Sequence, residues 1–148
     1  MACKFTVTRR VEFPETDISG TVHFSNFYRY MESAEHAFFR SLGLSIHDPT
    51  PGAVKWPRVS VSCDISGVLR FEDEIEIQLL VRERRARTII YEFIVRKRNG
   101  PSAGEVARGG LTVACVEKDA ETGAMRAVPI PESIARLIEP APAELLSR

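Results

Sequence analysis

The stretch Phe13-Pro14-Glu15-Thr16-Asp17-Ile18-Ser19-Gly20-Thr21-Val22-His23-Phe24-Ser25-Asn26 leads out of a run with β character and into a run with helical spacing. Upstream, Lys4 to Phe13 mixes β-branched and basic residues and reads as a first strand ending at Pro14, which has no N–H to give a central ladder. Asp17 then falls in a loop. Downstream, Ser25 is the expected N-cap, and Phe27, Met31, Ala34, Phe38 and Leu42 recur at three- and four-residue intervals until Gly43 offers a stop. One helix of about four to five turns is predicted.

Beyond that helix, Ser45 to Pro57 has the turn chemistry of a connecting loop in His47-Asp48-Pro49-Thr50-Pro51-Gly52, with Trp56 as its anchor. From Arg58 the period changes to two. Val59, Val61, Cys63 and Ile65 share one face and Ser60, Ser62, Asp64 and Ser66 the other, as in a half-buried strand. Ile75, Ile77, Leu79 and Val81 alternate with Glu74, Glu76 and Gln78, and Ile89, Tyr91, Phe93 and Val95 give the next apolar face. Arg84 to Arg87 is short enough for a hairpin, which makes these two strands antiparallel neighbours. Glu105 to Lys118 is the last long strand, and its small Ala107, Gly109, Gly110 and Ala114 let the helix lie close. Glu121 to Ala124 reads as a turn, Pro129 to Ile138 as a short helix, and 139–148 as a frayed tail. The order of strand, helix and four strands predicts an α+β layout in which one helix covers one face of an antiparallel sheet. Such a sheet leaves its edges bare, and pairing edges between two copies hides them, so a homodimer is predicted.

The 148 residues suit a single domain, 1–148, with a core that needs no metal or disulfide staple. Twenty basic residues balance twenty acidic ones, so the overall charge points to neither nucleic acid nor an anionic membrane. Cys3, Cys63 and Cys115 are odd in number and far apart, which argues against a disulfide framework or a CxxC zinc site. No apolar run approaches the roughly 20 residues that span a bilayer. A soluble, cytoplasmic protein is the expectation. Asp17, His23 and Glu32 have no recognised metal-ligand spacing, and Gly104, Gly109 and Gly110 form no phosphate-binding loop.

The pattern Thr16-Asp17, Gly20, Val22, Asn26, Glu32 and Ala34 resembles the hotdog-fold acyl-CoA thioesterases, most of all the branch of 4-hydroxybenzoyl-CoA thioesterase and the Tol–Pal-associated thioesterases. Asp64-Ile65-Ser66-Gly67-Val68-Leu69-Arg70-Phe71-Glu72-Asp73-Glu74 is similar to the strand, bend and strand entry that follow in that family. The likeness runs from about Lys4 to Lys118. Three positions depart from it: Phe27 stands where Tyr is frequent, Phe24 where the Tol–Pal-associated members often have His, and Glu35 where Arg commonly follows Glu-x-Ala. The resemblance implies a five-stranded antiparallel sheet wrapped around one long central helix. It also implies hydrolysis of an acyl-CoA without metal or organic cofactor, coenzyme A being part of the substrate. Dimers or tetramers are implied too, with the acyl pocket built from two subunits.

Within that reading Asp17 attacks the thioester carbonyl, giving a mixed anhydride, or activates a water for the same attack. A carboxylate is ionised at neutral pH, and a thiol with a pKa of about 8.5 leaves readily as a thiolate. Backbone N–H groups near His23, Phe24 and Ser25, at the helix entry, are the expected oxyanion donors. Gly20 lets the loop turn, Val22 joins the pocket, and Asn26 and Glu32 are supporting residues, Glu32 being also the alternative carboxylate. The His23 side chain reads as pocket-lining rather than as a proton shuttle, His36 and His47 as structural or exposed, and Glu35 as part of an exposed helix face. Arg85 and Arg87 are candidates for the phosphates of coenzyme A, the competing reading being a solvated hairpin tip. The competing function is a non-catalytic module of the same fold that binds acyl-CoA or a partner. A hydratase-type site would need a paired His and carboxylate.

Overall fold

A computed structural model describes residues 1–147. The elements in chain order are β1 (Lys4–Arg10), α1 (Ser25–Ser41), β2 (Arg58–Ile65), β3 (Glu74–Arg84), β4 (Thr88–Lys97), β5 (Gly104–Ala114), β6 (Val116–Lys118), β7 (Met125–Ala127) and α2 (Glu132–Ala135). The first five strands form one antiparallel sheet in the order β1-β3-β4-β5-β2, while β6 and β7 make a separate ribbon.

Register explains the core. Ile77 pairs with Val95, Leu79 with Phe93, Phe93 with Gly109, and Gly109 with Cys63. These residues share one face of the sheet because side chains alternate along each strand. α1 lies on that face and buries Phe27, Tyr30, Met31, Ala34, Phe38 and Phe39 against it. Gly109 permits the approach: a Cβ there would stand 2.6 Å from the Ser62 carbonyl oxygen and 2.9 Å from the Met31 sulfur. This is the helix wrapped by a five-stranded sheet that the resemblance implied.

The sheet reaches further than the helix covers. β2 is an edge strand whose Val61 and Ile65 face the helix side yet remain 51% and 44% exposed.

Several boundaries differ from the sequence reading. β1 stops at Arg10, and Phe13–Glu15 forms a single 3₁₀ turn with Pro14 inside it, where the fixed φ of proline and its missing N–H are both accommodated. The long last strand breaks after Ala114, because Lys55 bridges to Val116 and β6 turns away to pair with β7. The short helix shrinks to the four residues of α2. Glu35, placed by its spacing on an exposed face, is fully buried and paired with Arg58. The segment 139–147, read as frayed, crosses the sheet face opposite α1. Ala141 donates to the Val81 carbonyl at 2.7 Å, and Leu80, Ile94 and Ala141 form a second apolar cluster with Cys3 and Leu146. The buried Glu92 carboxylate accepts from the Ser147 N–H and pairs with Arg82 and Arg108.

Candidate active site

Residues 15–23 form a small antiparallel ribbon. Thr16 bridges Val22, the Asp17 N–H donates to the Thr21 carbonyl at 2.9 Å, and the His23 N–H donates to the Glu15 carbonyl at 2.9 Å. The tip is a tight turn closed by Gly20 N–H on the Asp17 carbonyl, with Gly20 at φ +78°, a conformation glycine adopts without strain. The ribbon is fixed at both sides. Val22, 7% exposed, points into the core and donates to the Leu69 carbonyl at 2.8 Å. On the helix side Glu15 takes the Tyr30 hydroxyl at 3.0 Å and an ion pair from Arg9, while its carbonyl also accepts the Asn26 side-chain amide at 2.8 Å.

Asp17 itself is exposed at the turn. Ser19 gives both its N–H and its hydroxyl to Oδ1, and these bonds hold the carboxyl below its ordinary range. The carboxylate is thus ionised, and Oδ2 has no partner among the described residues.

The helix entry narrows the choice of oxyanion donors. α1 begins at Ser25 with Phe24 as its N-cap, and no side chain caps it. The N–H groups of Asn26 and Phe27 close back on the carbonyls of His23 and Phe24. The His23 N–H is spent on Glu15, and the Ser25 N–H turns to Nδ1 of His23 at 3.3 Å. Of the three N–H groups expected from sequence, only that of Phe24 has no acceptor among the described residues. The Phe24 ring is exposed and stacks on His23, with centroids 4.5 Å apart.

The other candidate positions separate. Asn26 is buried and holds the ribbon to the helix. Glu32 lies further along α1, half exposed, 3.2 Å from Arg58, which also pairs with Glu35 and donates to the Trp56 carbonyl at 3.1 Å. Arg85 and Arg87 sit in the β3–β4 turn, Arg85 paired with Glu83. The Asp17 ribbon is tied instead to residues 69–70, just before β3, and the 11 residues of β3 span about 33 Å between the two ends. Within one chain these arginines are remote from Asp17.

Ser19, Glu15 and Arg58 escaped the sequence reading. Ser19 had a usable signal, since an Asp followed two residues later by Ser is the spacing of a side-chain-closed turn. Glu15 and Arg58 act through contacts with residues distant in sequence. A cavity of about 790 Å³ lies between residues 49–55 and the β6–β7 ribbon and contains no residue of the Asp17 site. Among the described residues no group of three or more His, Cys, Asp and Glu side chains is placed to hold a metal ion.

No family model matches the chain. A curated protein of Aquifex aeolicus (strain VF5) named "Putative esterase" is 33% identical over 93 residues, covering 63% of this chain and 73% of that one. The 4-hydroxybenzoyl-CoA thioesterase of Pseudomonas sp. (strain CBS-3) is 27% identical over 100 residues, covering 66% and 71%. Among solved structures, a 1,4-dihydroxy-2-naphthoyl-CoA thioesterase from Synechocystis superposes with a TM-score of 0.80 at 21% identity, over 90% of this chain and 94% of that one, and so has the same fold.

Proposed function

Because the chain belongs to the hotdog-fold thioesterases, the family of 4-hydroxybenzoyl-CoA thioesterase and its relatives, we propose that it hydrolyses an acyl-CoA to the carboxylate and free coenzyme A with Asp17 as nucleophile. The observation that carries this reading is the Asp17 carboxylate, held ionised at a tight turn of the ribbon that is tied to the helix entry, where the Phe24 N–H has no acceptor among the described residues. Oδ2 attacks the thioester carbon, the carbonyl electrons move onto oxygen, and the Phe24 N–H holds that oxyanion at the positive end of α1. Collapse expels the thiolate and leaves an Asp17 acyl anhydride. Water then cleaves the anhydride, releasing the carboxylic acid as its anion and restoring Asp17. A carboxyl held below its ordinary range is a poor proton acceptor, which favours direct attack over activation of water.

The reading includes a second copy of the chain. The Asp17 carboxylate opens onto solvent in a single chain, while the uncovered β2 edge carries Val61 and Ile65. Antiparallel pairing of two β2 edges about a two-fold axis reverses the second sheet end for end. It brings the β3–β4 turn of one copy, with Arg85 and Arg87, to the end of the sheet where the other copy has Asp17. Arginine suits the phosphates of coenzyme A there. The free thiols of Cys3, Cys63 and Cys115 fit a cytoplasmic setting, and no described helix is long and apolar enough to cross a membrane.

The test is thiol release from aryl, short-chain and long-chain acyl-CoAs by wild type and Asp17→Asn. Release that falls at least about 10³-fold in a folded Asp17→Asn protein is expected. Undiminished release moves the chemistry to another carboxylate, and saturable acyl-CoA binding without release identifies a non-catalytic module. A single turnover in H₂¹⁸O that leaves ¹⁸O in the Asp17 peptide establishes direct attack.

A further inference from the structure

The His23 ring is tied to the helix entry in a way that decides which nitrogen carries its proton. Ser25 directs its backbone N–H to Nδ1 at 3.3 Å, and the Ser25 hydroxyl lies 2.8 Å from the same atom. A backbone N–H only donates, so Nδ1 offers its lone pair there and the neutral ring bears its hydrogen on Nε2. Nε2 has no partner among the described residues. Stacking against Phe24, at 4.5 Å and 30°, restrains the ring further.

The ribbon puts the His23 side chain on the carboxylate's side. Thr16 and Val22 form the bridge, and Val22 points inward. Side chains alternate along paired strands, so Asp17 and His23, each one residue beyond the bridge on opposite strands, project from the other side of the ribbon. The Cα atoms of diagonal neighbours of this kind stand roughly 7–8 Å apart, a spacing within reach of side chains that act on one group together. The main-chain N–H of His23 is already bonded to Glu15 and has nothing to give a substrate.

We propose that the Nε2–H of neutral His23 is a catalytic donor to the carbonyl oxygen of the thioester, acting beside the Phe24 N–H, with Ser25 as the residue that positions the ring. The inference rests on the thioesterase reading and deepens it. Two donors of different origin then hold the oxyanion: one from the main chain at the helix entry, the other a side chain.

The first measurement is the ¹⁵N spectrum of the full chain labelled at histidine, the His23 signals being identified by their loss in His23→Gln. An unprotonated Nδ1 and a protonated Nε2 near neutral pH are expected, and the reverse tautomer overturns the proposal. The second is kcat. His23→Phe is expected to lower it about 100-fold, as loss of one oxyanion donor does, and His23→Gln, whose amide nitrogen overlies Nε2, to restore most of it. If Asp17→Asn is inactive while His23→Phe turns over like wild type, the histidine role fails and the thioesterase reading stands. If Asp17→Asn releases thiol like wild type, or if no acyl-CoA is cleaved by any variant, the reading fails and the histidine role falls with it.

Discussion

Ser19 places two hydrogen bonds on one oxygen of Asp17, its N–H reaching Oδ1 at 2.9 Å and its hydroxyl closing on the same atom. These bonds are the main reason the carboxyl lies below its ordinary range. Ser19→Ala removes the larger of them, so the Asp17 pKa rises toward the usual value of about 3.9. On the proposed mechanism the ionised form is the active one. The acid limb of the kcat/KM profile of Ser19→Ala therefore shifts to higher pH, while activity near neutrality changes little through ionisation. A limb that stays in place separates Asp17 ionisation from the rate.

Gly20 is the conformational weak point of the same turn. At φ +78°, with no atom within 4 Å of a Cβ built there, Gly20→Ala meets only the backbone cost of the left-handed region, about 1 kcal/mol. Denaturant unfolding is expected to show that small loss. Thiol release is expected to fall further than stability does, since the Gly20 N–H bond to the Asp17 carbonyl sets where the carboxylate points.

Arg58 and Glu35 form the buried ion pair of α1 and β2, with Glu35 fully covered and the Arg58 side chain 28% exposed. Burial pushes the Glu35 carboxyl up, and Arg58 opposes it. Arg58→Met strands that carboxylate and is expected to cost about 3 kcal/mol, measured by urea unfolding. The double variant Glu35→Leu, Arg58→Met recovers most of the loss, because it leaves no buried charge without a partner and strands only the half-exposed Glu32. The nearby Tyr91 hydroxyl is buried with no hydrogen-bond partner among the described residues, so Tyr91→Phe is expected to hold or raise stability.

The 139–147 segment supplies an acid-sensitive contact. Burial raises the Glu92 carboxyl, and its bonds to Ser147 and Arg108 more than offset this, leaving it below its ordinary value. A carboxyl lowered by folding contributes stability above its unfolded pKa of about 4.3, and that contribution is lost as pH falls through the folded pKa. Hydrogen exchange at the Ala141 and Ser147 amides is expected to quicken relative to the β3–β4 amides as pH is lowered into that range. Leu146→Asp reproduces the release at neutral pH by forcing a charge onto the Leu80 and Ile94 cluster.

The apolar periods placed α1 within a residue of its observed end and found β2, β3 and β4, because burial on one face imposes a repeat that a single sequence displays. The break after Ala114 and the path of residues 139–147 were illegible. Both are decided by partners far along the chain: Lys55 for Val116, and Val81, Arg82 and Glu92 for the final segment. Glu35 misled for the same reason, since nothing local announces the Arg58 that lets a carboxylate go under. At the site, Asp17 and Gly20 fell in the loop expected of them. Which of the N–H groups of His23, Phe24 and Ser25 lacks an acceptor was readable only from the hydrogen bonds themselves, which occupy the first and last and leave that of Phe24 without one among the described residues.

The carbonyl oxygen of Glu15 accepts from both the His23 N–H and the Asn26 side chain, and so rivets the carboxylate-bearing ribbon to the first turn of α1. The proposed nucleophile and the amide proposed to polarise its electrophile consequently travel as one cassette. On that proposal, walls that grip different acyl groups, raised elsewhere on the same scaffold, can be exchanged across evolution or by a protein engineer without retuning the reactive geometry each time.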